Sequence, residues 1–170
     1  MSRRAWTLVI ALIIISGVVI IGLTALLTPQ QTSPAAANAL AFVQAVSRGD
    51  DDAALPLLGP QAAAWMAQNC PQGSPSACVE ALIPAEWGAY VSTVFRRAAP
   101  EGDHWNVDLI STYERDLGGS GVCIFARMQQ DADDAWRVAQ VAGFINCGEP
   151  ASRSMSSNPD TPNRMPPAAP

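Results

Sequence analysis

The chain has 170 residues, 49% of them hydrophobic and only 15% charged, against roughly 25% charged for an ordinary soluble domain. It has no lysine and one histidine, His104, which excludes a Schiff-base or P-loop lysine, a paired-histidine mechanism and a histidine-rich metal site. The net charge of −5 argues against a nucleic-acid partner, which requires a basic patch.

The hydrophobic excess is local. No charged side chain occurs from Ala5 to Ser47, and the densest run, WTLVIALIIISGVVIIGLTALL, covers residues 6–27. As a helix it would be roughly 33 Å long, enough to cross a hydrocarbon core of about 30 Å. It has no polar stripe, unlike the helix of a soluble core. Trp6 falls where interfacial aromatics anchor a span. The run exceeds the roughly 7–15 residues of a signal-peptide core, although the small residues of SPAAANA after it resemble a cleavage site. No cysteine near its end suggests lipidation. Arg3 and Arg4 precede the run, and the next basic residue is Arg48. The positive-inside rule therefore predicts a cytoplasmic N-terminus of residues 1–5, a bilayer-spanning helix over 6–27 and an extracytoplasmic remainder.

Residues 28–34 (TPQQTSP) read as a linker, and residues 35–147 as one α+β domain of sufficient size for its own core. Residues 148–170 contain six prolines and almost no large apolar side chain, which predicts a disordered tail. Within the domain, Leu40, Val43 and Val46, flanked by Phe42, share one helical face that Gly49 ends. Asp50 to Asp52 cap a short helix over 53–58. Helix-dipole capping accounts for these acids without calcium, since the EF-hand pattern is missing. A third helix covers 60–68, with Trp65 and Met66. CPQGSPSAC reads as a tight loop, and residues 77–82 as a fourth helical turn.

The second half changes period. Residues 90–97, 104–115, 121–130 and 136–145 alternate and are rich in β-branched and aromatic side chains. They are separated by APEGD, DLGGS and DADDA, all turn chemistry. Helices followed by four such strands predict an antiparallel meander with helices on one face.

Two stretches carry a resemblance. The first is A-x-x-F-x-x-A-x-x-x-G-D-x-x-A-A-x-x-L-L, through Ala39, Phe42, Ala45, Gly49, Asp50, Ala53, Ala54, Leu57 and Leu58. The second is D-D-A-W-R-V-A-x-V, from Asp133 to Val141. Together with the meander they resemble the nuclear-transport-factor-two-like superfamily, whose cone-shaped fold also serves ketosteroid isomerases, polyketide cyclases and membrane-anchored bacterial proteins. The resemblance implies a cone and a pocket, and no particular activity, because function resides in sites grafted on folds.

Symmetric hairpin closure predicts one apolar face with the rows Val94, Val107, Met128, Trp136 and Ser92, Leu109, Ala126, Val138. The opposite face receives Val91, Ile110, Phe125, Ala139 and Thr93, Asp108, Arg127, Arg137. Asp108, Arg127 and Arg137 thus read either as a carboxylate- or phosphate-binding patch or as a solvated ion-pair group bridged by Asp108. An isomerase-type site needs a carboxylate base and a hydroxyl donor facing one pocket. The candidates are Asp108 with Tyr90 or Tyr113; in this register Asp108 faces away from Tyr113, no adjacent pair stands out, and no catalytic residue is assigned. His104 sits beside a turn, where an exposed histidine is ordinary.

The four cysteines, Cys70, Cys78, Cys123 and Cys147, lack the C-x2-4-C pairs of a zinc site. In an exported domain they read as disulfides. Cys70–Cys78 closes a loop that already turns. Cys123–Cys147 joins strand ends, but the register places Val141 opposite Cys123. That pairing therefore requires a bulge near Gly143 or a chain that doubles back after Ile145, and Cys78–Cys123 stays open as its competitor.

The expectation is an envelope-facing binding or interaction module without catalysis or cofactor, for a small ligand or an envelope protein. The alternatives are an isomerase- or cyclase-type enzyme and a structural subunit of an envelope complex.

Overall fold

The computed structural model describes residues 6, 10, 12–20, 33–115, 120–158 and 160–167. Residues 6, 10 and 12–20 are helical. The rest of the apolar run 6–27 lies outside the described residues, as do residues 1–5 and 28–32 of the expected N-terminus and linker. Among the described residues, no helix is long and apolar enough to cross a membrane.

The domain is α+β. Helix α1 spans Pro34–Ser47, so the end of the expected linker is its cap. The Ser33 hydroxyl accepts from Ala36 N at 3.1 Å, and Pro34 occupies the first turn, where its missing N–H costs nothing. Its buried face is centred on Ala39, Phe42, Val43 and Val46, with Leu40 only partly covered. Asp50 Oδ1 accepts from Ala53 N at 3.0 Å and starts α2, Asp51–Ala54. A 3-10 turn, Leu55–Leu57, follows. Helix α3, Pro60–Asn69, buries Ala62 and Met66. Helix α4, Pro75–Glu80, begins earlier than its apolar residues imply, because Ser74 caps it by accepting from Ala77 N at 2.9 Å.

Strands β1 (Tyr90–Glu101), β2 (His104–Tyr113), β3 (Val122–Gln130) and β4 (Trp136–Asn146) form an antiparallel sheet in the order β1-β2-β3-β4. Helices cover one face. There Phe42, Val43 and Met66 meet Val107, Leu109, Ile124, Met128 and Val141, all nearly inaccessible.

The registers differ from symmetric closure about the turn segments. Strand β1 runs on through Pro100 to Glu101, which pairs with His104 across a two-residue turn. Proline is tolerated there because β1 is an edge strand. Val107 consequently faces Ala98, not Val94, and Ala126, not Met128. Met128 faces Val138, not Trp136. A bulge at Phe95/Arg97 reverses the faces of Ser92 to Phe95, and a second at Tyr90/Ser92 restores that of Tyr90. Thr93 is buried at 5% exposure, whereas Val94 is 54% exposed.

The expected disordered tail is corrected for residues 148–158 and 160–167, which fold back onto the outer face of the sheet. Met155, Thr161 and Met165 are buried. Met155 joins Cys123, Phe125 and Ala142 in a second small core. Proline-rich composition hid two methionines, which supply the apolar surface, and a set of backbone partners along β4. Gly143 N donates to Pro162 O at 2.8 Å, and Asn163 Nδ2 donates to Gly143 O at 2.8 Å. Gly143 has a φ of +95°, and a Cβ there would stand 2.6 Å from Cys123 O and 2.9 Å from Met155 Sδ. Only glycine lets the segment approach this closely.

Both expected disulfides are present. Cys70–Cys78 has its Cα atoms 5.1 Å apart and Cys123–Cys147 has them 5.0 Å apart. The second is reached through the required bulge. Ile124 pairs with Gly143 and Cys123 with Ile145, leaving Phe144 as the extra residue at φ 54°.

Candidate functional site

The expected cluster of Asp108, Arg127 and Arg137 does not form. Asp108 is 5% exposed and accepts from Arg97 Nε at 2.5 Å. The two-residue turn after Glu101 sets the register that brings Arg97 opposite Asp108, a partner that symmetric closure missed. Arg137 pairs across the strands with Gln129. Its Nε donates to Asp131 Oδ2 at 2.9 Å, and its Nη1 donates to Pro56 O. The recess beside Arg137 holds about 50 Å³, far below the roughly 300–1,000 Å³ of a small-molecule pocket. Arg127 stays on the outer face between Asn106 and Gln140. Its near neighbour is Arg164, hidden from sequence reasoning because the tail was read as disordered.

The isomerase-type pairing is absent as well. Asp108 lies on the outer face, while Tyr113 lies on the helix face with its ring centroid 6.0 Å from Trp87 and 5.9 Å from Tyr90. His104 stands at the β1–β2 hairpin with Nδ1 3.1 Å from Asp103 and Nε2 3.5 Å from Glu101.

A cleft of about 510 Å³ opens where the C-terminal end of α1 and helix α4 meet the start of β1 and the end of β2. Its walls include Ser47, Ser76, Val79, Ile83, Tyr90 and Tyr113. The sequence assigned Tyr90 and Tyr113 to possible donor roles, and the fold brings both here without Asp108. Tyr90 Oη donates to Thr93 Oγ1 at 2.9 Å, and Thr93 Oγ1 lies 2.7 Å from Ser111 Oγ. This chain of hydroxyls leads from the cleft into the core. The Arg48 guanidinium stands 5.9 Å from the Tyr90 ring centroid, a cation–π distance.

Two more buried hydroxyls line the cleft. Ser47 Oγ lies beside the Tyr113 hydroxyl, and Ser76 Oγ lies beside the Asp51 carboxylate, which also accepts from Ser76 N at 2.9 Å. Burial pushes the Tyr113 phenol up, and the proximity of the Ser47 hydroxyl only partly opposes this. Tyr113 therefore remains a neutral donor at physiological pH. Arg48 and Glu80 are the charged side chains of the cleft wall, and both are exposed. The arrangement can hold a ligand through hydroxyls and aromatic surface. It offers no buried carboxylate for proton abstraction. Among the described residues, no group of three His, Cys, Asp or Glu side chains could hold a metal.

Comparison with family models, with curated proteins and with solved structures finds no match to this chain.

Proposed function

We propose that the chain is a single-pass membrane protein whose extracytoplasmic domain binds a small, hydroxyl-rich or neutral polar ligand in the cleft between α1, α4 and the β1/β2 ends. The cleft carries this reading. It is open, large enough for a small molecule, and walled by Tyr90 and Tyr113 together with the hydroxyls of Ser47 and Ser76. An uncharged run over residues 6–27 behind Arg3 and Arg4 supports the anchor, and the two disulfides suit an oxidising compartment. The cone-like order of helices and meander is the reason for placing the domain beside the nuclear-transport-factor-two-like superfamily.

Binding without turnover is favoured over isomerase chemistry because a general base must reach the proton that it abstracts. The one carboxylate of the cleft wall, Glu80, is solvent-exposed. The outer face of the sheet is covered in part by residues 148–158 and 160–167, so the cleft is the better candidate for contact with a ligand.

Native mass spectrometry of the full chain, purified from its own membranes in nanodiscs, tests the reading. The wild type should carry a small-molecule adduct that Glu80→Trp, which fills the cleft from its exposed rim, loses. A bare mass for the wild type, or an adduct retained by Glu80→Trp, would overturn it.

A further inference from the structure

On the sheet face opposite the cleft, the geometry points to a phosphate-binding site formed by Arg127 and Arg164. Arg127 projects from β3 between Asn106 and Gln140. Its Nε is buried without a partner, and it makes no hydrogen bond or ion pair among the described residues. Gln140 cannot serve it. Gln140 Oε1 accepts from Arg164 Nη1 at 2.5 Å, and Gln140 Nε2 donates to Pro166 O at 2.7 Å. Asn106 donates its Nδ2 to Glu101, and its Oδ1, though buried without a partner, makes no hydrogen bond to Arg127.

Arg164 is brought to the same place by the C-terminal segment. Its guanidinium lies 5.8 Å from the centroid of Phe125, two residues from Arg127 along β3. Arg164 Nη2 donates to the carbonyls of Met155 and Asn158 at 3.1 and 2.7 Å. These partners are all neutral, and its Nε is also buried and unpaired. Burial and the charge of Arg127 both lower the pKa of Arg164, in keeping with two cations that lack a shared anion.

The nearby carboxylates are engaged elsewhere. Asp108 holds Arg97. Glu101 and Asp103 hold Asn106 and His104, and feel Arg127 only at longer range. Two guanidinium groups meet at Gln140, Arg127 opposite it on β3 and Arg164 bonded to it. Each with an unused buried N–H, they match an oxyanion that accepts several hydrogen bonds at once. A phosphate group meets that demand and neutralises the repulsion. It can come from a free phosphate or from the headgroup of an anionic phospholipid, which an anchored domain would meet at the membrane surface.

Thermal unfolding of the full chain in nanodiscs separates these sources, because a ligand bound only by the native state raises the midpoint with concentration. In phosphatidylcholine discs, inorganic phosphate should raise the midpoint saturably above chloride at matched ionic strength. A rise seen only on replacing the lipid by phosphatidylglycerol assigns the headgroup as the source. Arg127→Gln should weaken the effect roughly tenfold or more, as expected for losing a charged hydrogen-bond donor. Exposed Arg96→Gln should leave it intact. Phosphorus NMR line broadening on the wild type keeps the test independent of variant folding. No rise and no broadening in either lipid, or a full rise in Arg127→Gln, would overturn the site.

Discussion

Met165 and Val141 exchange two backbone hydrogen bonds, 2.8 Å from Val141 N to Met165 O and 2.7 Å from Met165 N to Val141 O. An antiparallel bridge thus forms on the free edge of β4. Leu58 makes a parallel bridge to the same strand at Val138. Covering an edge in this way satisfies its backbone groups and removes a template for aggregation. The C-terminal segment is accordingly part of the domain, and Met155→Ala should cost about 2–5 kcal/mol, the range for truncating a buried methionine. Chemical denaturation with a linear extrapolation measures this. A change within about 0.5 kcal/mol, typical of surface substitutions, would return the segment to a solvated tail.

The Cys123–Cys147 disulfide closes a sequence separation of 24 residues, and Cys70–Cys78 one of eight. Loop-closure entropy favours the longer cross-link. A paired Cys123→Ala, Cys147→Ala variant should lose about 2–5 kcal/mol, and the corresponding change at Cys70 and Cys78 should lose less. Equilibrium unfolding of both variants gives the order directly, and the reverse order would contradict it.

Arg97 and Asp108 are unequal partners, with side chains 61% and 7% exposed. Arg97→Ala leaves a buried carboxylate without its charged donor. It should cost about 1–3 kcal/mol, more than an exposed ion pair at about 0–1 kcal/mol. Asp108→Asn, which leaves no stranded charge, should cost less than Arg97→Ala. Urea melts of the two variants test the ranking.

How much of this was legible varies by element. The helices announced themselves through Leu40, Val43 and Val46 and through Asp50 at a cap. Four alternating strands fixed the meander. Face assignment failed where bulges intervene, because a bulge at Phe95/Arg97 shifts Ser92 to Phe95 by one and reverses their orientation, until a second bulge at Tyr90/Ser92 restores that of Tyr90. No residue type in YVSTVFRR marks that bulge. Asp108 was paired with the wrong arginines for a different reason: β3 pairs two residues away from symmetric closure, which sets Phe125 and not Arg127 opposite Asp108, and β1 runs on to a two-residue turn that sets Arg97 there. Arg164 and Met155 were invisible for another reason. Composition reports average hydrophobicity, and two methionines and one arginine at the right spacing were enough to seat a proline-rich segment on an apolar sheet face. Tyr90 and Tyr113 were singled out by chemistry, but their meeting at the cleft depended on the β1–β2 register.

Asp131 contributes to the pH dependence, as do Asp51, Glu101 and Asp103, whose carboxyls are also held below their usual values. The hydrogen bond from Arg137 is the main reason that the Asp131 carboxyl is held below the usual aspartate value, with the Ala135 backbone N–H adding to it. A folded-state pKa that is depressed contributes stability above the unfolded value of about 3.9. That contribution is lost as pH falls through the folded value. Stability should thus decline as pH drops below about 4, and Asp131→Asn should flatten this limb. Thermal midpoints measured across the acid range for both proteins test it, and superimposable limbs would remove Asp131 from the account.

The central claim is a domain held outside the membrane by the apolar run at residues 6–27. Proteinase K applied to intact cells tests it most directly. The account predicts that the domain disappears from the cell-bound fraction without lysis, leaving a short fragment that carries Arg3, Arg4 and the apolar run. A domain that stays full length until the cells are broken would contradict it.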